Sequence, residues 1–168
     1  ELLQIPLAGK PAGPAQVGIN ERKPQIHVLV HHRWSDAAPP GQVRIALVRH
    51  DMPTSGVVAL GGLWTALVAA ATSGTMPASL PDGWSAADSV LWRSPAGPVE
   101  PRLPRAVTFA PDFSDLGRGA AIMLLAVVMS DSNQISATDL QLGAQQATTA
   151  DQIVLSSPHV AAKSLGFG

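Results

Sequence analysis

His27, His31 and His32 stand close together in the chain, and neutral imidazole is the commonest protein ligand for a metal ion. On a strand, His27 and His31 share a face but lie roughly 13 Å apart, too far to hold one ion. The three therefore read as histidines of a polar face or an interface, and the isolated His50 and His159 read the same way. Serine, histidine and aspartate are all present, yet there is no Gly-x-Ser-x-Gly elbow and no histidine in a catalytic setting to mark a hydrolytic triad. Gly117-Arg118-Gly119 lacks the third glycine of a dinucleotide-binding turn and runs into strand-like residues where that turn would open a helix; it reads as a hairpin turn. Asp112, Asp115, Asp131 and Asp139 fall in predicted loops at strand ends, where calcium sites form in sandwiches, but without EF-hand spacing they read as solvated carboxylates. The chain has no cysteine, which removes disulfides, thiolate nucleophiles and thiolate metal ligands together. No catalytic residue, metal ligand or cofactor is assigned, and a non-enzyme is expected.

Trp34, Trp64, Trp84 and Trp92, with three phenylalanines and no tyrosine, carry nearly all the aromatic surface. Such residues anchor protein interfaces or plug cores, and Trp34, Trp64 and Trp84 are the candidate interface residues. Exposed together on one face they would instead stack on sugar rings, which defines a carbohydrate-binding alternative and a possible glycan partner. A net charge of −1 with 14% charged residues offers no basic stripe for phosphates, so nucleic acid is not an expected partner. Hydrophobic content of 46% argues for a folded domain. The longest apolar stretch, residues 120–129, is about half the roughly 20 residues that cross a bilayer as a helix. Residues 63–71 lack the Lys and Arg of an amphipathic anchor, and no membrane insertion is expected. The chain opens Glu1-Leu2-Leu3 without a basic, cleavable leader, as expected of a domain excised from a longer polypeptide.

These residues must be positioned by short strands. In 26–32, Ile26, Val28 and Val30 point one way and His27, Leu29 and His31 the other. In 42–49, Val43, Ile45 and Leu47 alternate with Arg44 and Ala46, and the two segments read as antiparallel neighbours. Residues 57–60 read as a short edge strand and 63–71, rich in alanine, as a short helix. Residues 77–83 are loop, 89–93 and 106–110 are strands, and Pro95, Pro98, Pro101 and Pro104 forbid regular structure between them. Residues 120–129 are apolar on both alternating faces, as a central strand covered on both sides would be. Ser136 to Asp139 has capping-box spacing, Thr149 is placed to cap a turn through Ile153 and Val154, and 160–167 reads as the closing strand.

Three stretches resemble the bacterial adhesion-related domains known as CARDB. One is His27-Val28-Leu29-Val30-His31-His32-Arg33-Trp34, continuing through Ala37-Ala38-Pro39-Pro40-Gly41 into Val43-Arg44-Ile45-Ala46-Leu47. The second is Ala121-Ile122-Met123-Leu124-Leu125-Ala126-Val127-Val128 with Ser130-Asp131-Ser132, and the third is Pro158-His159-Val160-Ala161-Ala162-Lys163-Ser164-Leu165. The resemblance implies an immunoglobulin-like module used as a spacer, adhesion or assembly unit, and it carries over no catalytic residue.

The expected fold is all-β: an immunoglobulin-like Greek-key sandwich of about 7–8 strands with one or two short helices, because no repeated crossover helices are present. Residues 26–168 form the sandwich and 1–25 an extended segment or linker, able to add as a strand to a neighbour's edge. The expected function is non-catalytic: a structural or interaction module of an extracellular or cell-surface protein, or of a repeated assembly, working through contacts with copies of itself or neighbouring domains.

Overall fold

The computed structural model describes residues 3–5, 15–17, 22–31, 43–52, 58–73, 77, 79–100, 103–130, 147–148 and 160–167. Among these residues the chain is an all-β sandwich with one helix. Its elements are β1 (Leu3–Ile5), β2 (Ala15–Val17), β3 (Ile26–Val30), β4 (Val43–Asp51), β5 (Val58–Ala59), α1 (Gly61–Ser73), β6 (Trp84–Ala86), β7 (Trp92–Arg93), β8 (Arg105–Phe109), β9 (Ala121–Ser130), β10 (Ala147–Thr148) and β11 (Val160–Phe167). One sheet has the order β1-β3-β8; a larger one runs β2-β11-β9-β4-β6, with β7 also paired to β4; β5 pairs with β10.

The large sheet is covered on both faces, and the alternation of its strands explains how. Val43, Ile45 and Leu47 of β4, Ile122, Leu124 and Ala126 of β9, and Leu165 and Phe167 of β11 face the small sheet, where they meet Ile26, Val28, Val107 and Phe109. The intervening residues Ala46, Val48, Met123, Leu125 and Val127 face the other way, against Leu63, Trp64, Leu67 and Ala70 of α1. β9 is thus buried on both sides from Ile122 to Val127, as its two-sided apolar pattern predicts. Each fully buried Leu, Ile or Met contributes about 1.5–3 kcal/mol relative to exposure, which makes β9 the strand on which both layers depend.

The helix forms where alanine and leucine dominate, and Asp82 Oδ2 accepts the Gly62 amide at 3.0 Å near its first turn. Immediately before β6, Asp82 (φ 57°) and Gly83 (φ 80°) form a left-handed pair that turns the chain into that strand.

Three expectations need correction. The segments at 26–32 and 42–49 are not neighbours: β3 pairs with β1 and β8, whereas β4 pairs with β9, β6 and β7 in the other sheet. Alternation sets which face of a strand is buried but carries no information on its partner. Gly117 to Gly119 forms a turn, with the Ala120 amide donating to the Gly117 carbonyl at 3.3 Å, but not a hairpin, because the strands it joins lie in different sheets. The expected strand at 89–93 shrinks to β7, and the short β6 lies just after the expected loop. The N-terminal segment supplies a parallel edge strand to each sheet, β1 on β3 and β2 on β11. The capping box at Ser136 and the turn after Thr149 lie outside the described residues.

Candidate functional site

Trp64 and Trp84, expected at an interface, instead fill the core, because α1 and β6 close over the second face of the large sheet. They are 6% and 3% exposed. Trp84 donates its indole N–H to the Ala59 carbonyl at 2.7 Å and meets the His50 ring edge-on at 5.1 Å between centroids. Neither indole presents the flat exposed face that sugar stacking requires. Trp92 is half-buried on β7, and Trp34 lies outside the described residues.

His27, His50, Asp112 and Asp115 are engaged in structural contacts. His27 Nδ1 lies 2.9 Å from Thr108 Oγ1 across the β3–β8 pair, and His31 is exposed at the end of β3. Both ring nitrogens of His50 face backbone oxygens, those of Asp51 and Asp82, and among the described residues neither a hydroxyl nor a carboxylate is in hydrogen-bonding contact with the ring. Asp115 accepts a bidentate pair from Arg49 at 3.0 and 2.5 Å, and Asp112 pairs with Lys23 at 2.8 Å. The Arg49 hydrogen bond holds the Asp115 carboxyl below the usual carboxylate range, and the Lys23 ammonium with Ser114 does the same for Asp112. No group of three or more His, Cys, Asp or Glu placed to hold a metal occurs among the described residues. Asp131, Asp139, His32 and His159 lie outside them.

The residue that sequence reasoning missed is Asp88, the one buried polar or charged side chain among the described residues. It sits in the bend between β6 and β7. Oδ2 accepts the Ala110 amide at 2.8 Å and Arg93 Nη2 at 3.0 Å; Oδ1 accepts the Ser89 hydroxyl at 3.1 Å and the Val90 amide at 3.4 Å. Burial works against its ionised form, but the Ala110 amide, the Ser89 hydroxyl and the Arg93 charge outweigh it and keep the carboxyl below its ordinary value. The Arg93 guanidinium also lies 5.6 Å from the Phe109 ring centroid. Asp88 and Arg93 thereby tie the edge of the large sheet to β8 of the small one. The bond from Asp88 to the amide two residues on is an Asx-turn contact, the only local signal in the sequence that marks this residue.

Asp88 also shows which way β8 points. The Ala110 amide turns away from β3, and strand period two turns the amides and carbonyls of Ala106 and Thr108 the same way. Among the described residues β8 is the edge of its sheet, and Pro104 and Pro111 limit it on either side. Along this edge runs an open groove of about 470 Å³, walled by Ala106, Val107 and Thr108 on one side and Trp92 and Arg93 on the other. Val90, which also lines it, and Leu103, just before β8, are the exposed large hydrophobic residues of the described structure, at 46% and 55%. Trp92 Nε1 and Arg93 Nε are buried and meet no acceptor among the described residues.

Comparison with protein-family models, with curated proteins and with solved structures finds no match to this chain.

Proposed function

We propose that the chain is a non-catalytic interaction module, of immunoglobulin-like Greek-key build, that works through protein contacts in a surface protein or a repeated assembly outside the cell. The observation that carries this reading is the β8 edge: outward backbone groups at Ala106 and Thr108 lie beside a groove, with Val90 and Leu103 exposed next to them. Unpaired strand edges and exposed apolar side chains are the features by which a sandwich recruits another polypeptide. The resemblance to CARDB domains supports the same role. Carbohydrate binding has less support, because Trp64 and Trp84 are in the core.

The test is the solution mass of the chain by light scattering over a concentration series. A mass many times 17.4 kDa that persists on dilution is the expected result for an assembly module. A monomer at every concentration removes self-assembly and restricts the reading to a heterologous protein partner. Catalytic turnover by the pure chain overturns it.

A further inference from the structure

We infer that β8 pairs with β8 of a second copy of this chain, antiparallel about a two-fold axis at Val107, so that the small sheets of the two copies join in the order β1-β3-β8-β8-β3-β1. This rests on the reading of the chain as an interaction module and names both the partner and the contact.

The direction of the backbone groups sets the mode. The Ala110 amide points away from β3, to Asp88 at 2.8 Å. Strand period two then turns the N–H and C=O of Ala106 and Thr108 outward and leaves Val107 and Phe109 to bond β3 opposite Val28 and Ile26. His27 and Thr108 are on this account a non-hydrogen-bonded pair, whose side chains approach closely, and His27 Nδ1 lies 2.9 Å from Thr108 Oγ1. β8 has no strand partner other than β3 among the described residues, and its outward side borders the open groove.

The limits of the edge set the partner. Asp88 occupies the outward side of Ala110, and Pro104 has no N–H to offer. Read along the strand, the outward positions are closed at 104, open at 106 and 108, and closed at 110, a pattern symmetrical about Val107. An added strand must therefore leave the edge at both ends. A copy of β8 does so by its own build, since its strand has the length of the open stretch and stops at prolines 104 and 111. With Val107 opposite Val107, Ala106 of each copy faces Thr108 of the other, and every N–H and C=O of these residues finds a partner. Sliding the copy by two residues sets Thr108 against Pro104, or Ala106 against the capped Ala110, and strands an outward C=O.

The side chains permit the same pairing. Ala106 and Thr108 are small, uncharged and exposed, so no like charges meet at the centre. Charge along the edge is mixed: Arg93 is paired with Asp88, and Glu100 lies in the same segment as Arg105, so neither sign of charge selects the partner. The exposed Val90 and Leu103 beside the strand add apolar surface to the contact. A two-fold contact closes at the pair and is thus one contact of any larger assembly.

The test begins with the wild-type, full 168-residue chain: amide exchange at Ala106 and Thr108 is expected to slow as protein concentration is raised from micromolar to millimolar. The chain has no cysteine, so Val107→Cys places a single thiol per copy on the axis, in a non-hydrogen-bonded pair close enough for a disulfide. Oxidation with diamide should yield a disulfide-linked dimer. Adding Ala106→Pro, which removes an outward N–H from each copy and spares the bonds to β3, should lower the yield about tenfold. Thermal unfolding confirms that each variant is folded.

Exchange at Ala106 and Thr108 that is independent of concentration overturns the pairing without relying on any variant. Slowed exchange with no cross-link from folded Val107→Cys overturns the axis, and a yield unchanged by Ala106→Pro overturns the backbone contact. A light-scattering mass above 17.4 kDa with unchanged exchange moves the contact to another surface and leaves the interaction reading standing, so the two failures are distinguishable.

Discussion

Replacing Asp88 by alanine removes one carboxylate and strands four donors. The Ala110 and Val90 amides and the Ser89 hydroxyl lose an acceptor, and Arg93 loses its counter-ion. Breaking a fully buried ion pair by deleting one partner costs about 3–5 kcal/mol. Here the Asp88 side chain is 3% exposed but that of Arg93 is 35% exposed, so the guanidinium recovers part of its hydration by turning outward. The Ala110 amide, part-buried in its bond to Asp88, still bears up to the desolvation penalty of about 1–3 kcal/mol of an unpaired donor. The expected loss is about 3 kcal/mol, or a melting point lower by roughly 6–12 °C for a chain of this size. Asp88→Asn keeps one acceptor oxygen and should cost about half as much. The pH dependence has a definite sign. The folded-state pKa of Asp88 is lowered, so its contribution is fully present above the ordinary carboxylate pKa near 3.8 and is lost as pH falls through the lower folded value. Urea unfolding of the wild type and both variants at neutral pH, repeated down through the carboxylate range, measures both effects. A loss below about 1 kcal/mol for Asp88→Ala, or an acid profile identical to wild type, refutes the assignment of Asp88 as the tie between the sheets.

Three further outcomes follow from the packing. Gly83→Ala should destabilise by about 1–3 kcal/mol and clearly more than Gly119→Ala in urea unfolding: both glycines have positive φ, but a Cβ at 83 would sit 3.0 Å from His50 Nε2, while one at 119 meets nothing within 4 Å. Leu67→Ala, in the buried face of α1, should cost about 2–5 kcal/mol by thermal or urea unfolding, since the side chain is fully buried between the helix and the large sheet. In a Trp34→Phe, Trp92→Phe background, the emission of Trp64 and Trp84 should resist iodide quenching and remain unchanged on addition of soluble oligosaccharide; ready quenching would show that α1 does not cover them.

How far the sequence foretells the structure depends on whether a signal is local. The two-sided apolar run at β9 reads as a strand covered on both faces, and both covers are present: Phe109 and Ile26 on one side, Leu63 and Leu67 on the other. The helix is legible from its alanines, and β3 from its alternation. The partner of β3 is not, because Ile26, Val28 and Val30 would be buried equally well beside β4 or β8. β6 is hidden by its length, three residues after a left-handed turn. Asp88 is the sharpest case. Its sequence neighbours announce only an Asx turn, while the contact that makes it a tie between sheets comes from Ala110, on the far side of a proline-rich loop.

The two flanks of the sandwich are treated differently, and the difference bears on why β8 stays open. On one flank the chain supplies β1 and β2, which cover the outer edges of β3 and β11. On the other, β7 and β8 end the described sheets, and Asp88 takes up one outward amide and leaves those of Ala106 and Thr108. An edge protected only against aggregation would carry an inward charge, a bulge or a proline at its centre. Here the prolines stand outside the strand, at 104 and 111, and the centre holds Ala106, Val107 and Thr108, small or β-branched residues that leave the backbone accessible. Proline flanks and the Asp88 cap shorten the edge without blocking it. That arrangement leaves a short stretch of edge able to take one added strand, from a copy of the chain or from another polypeptide.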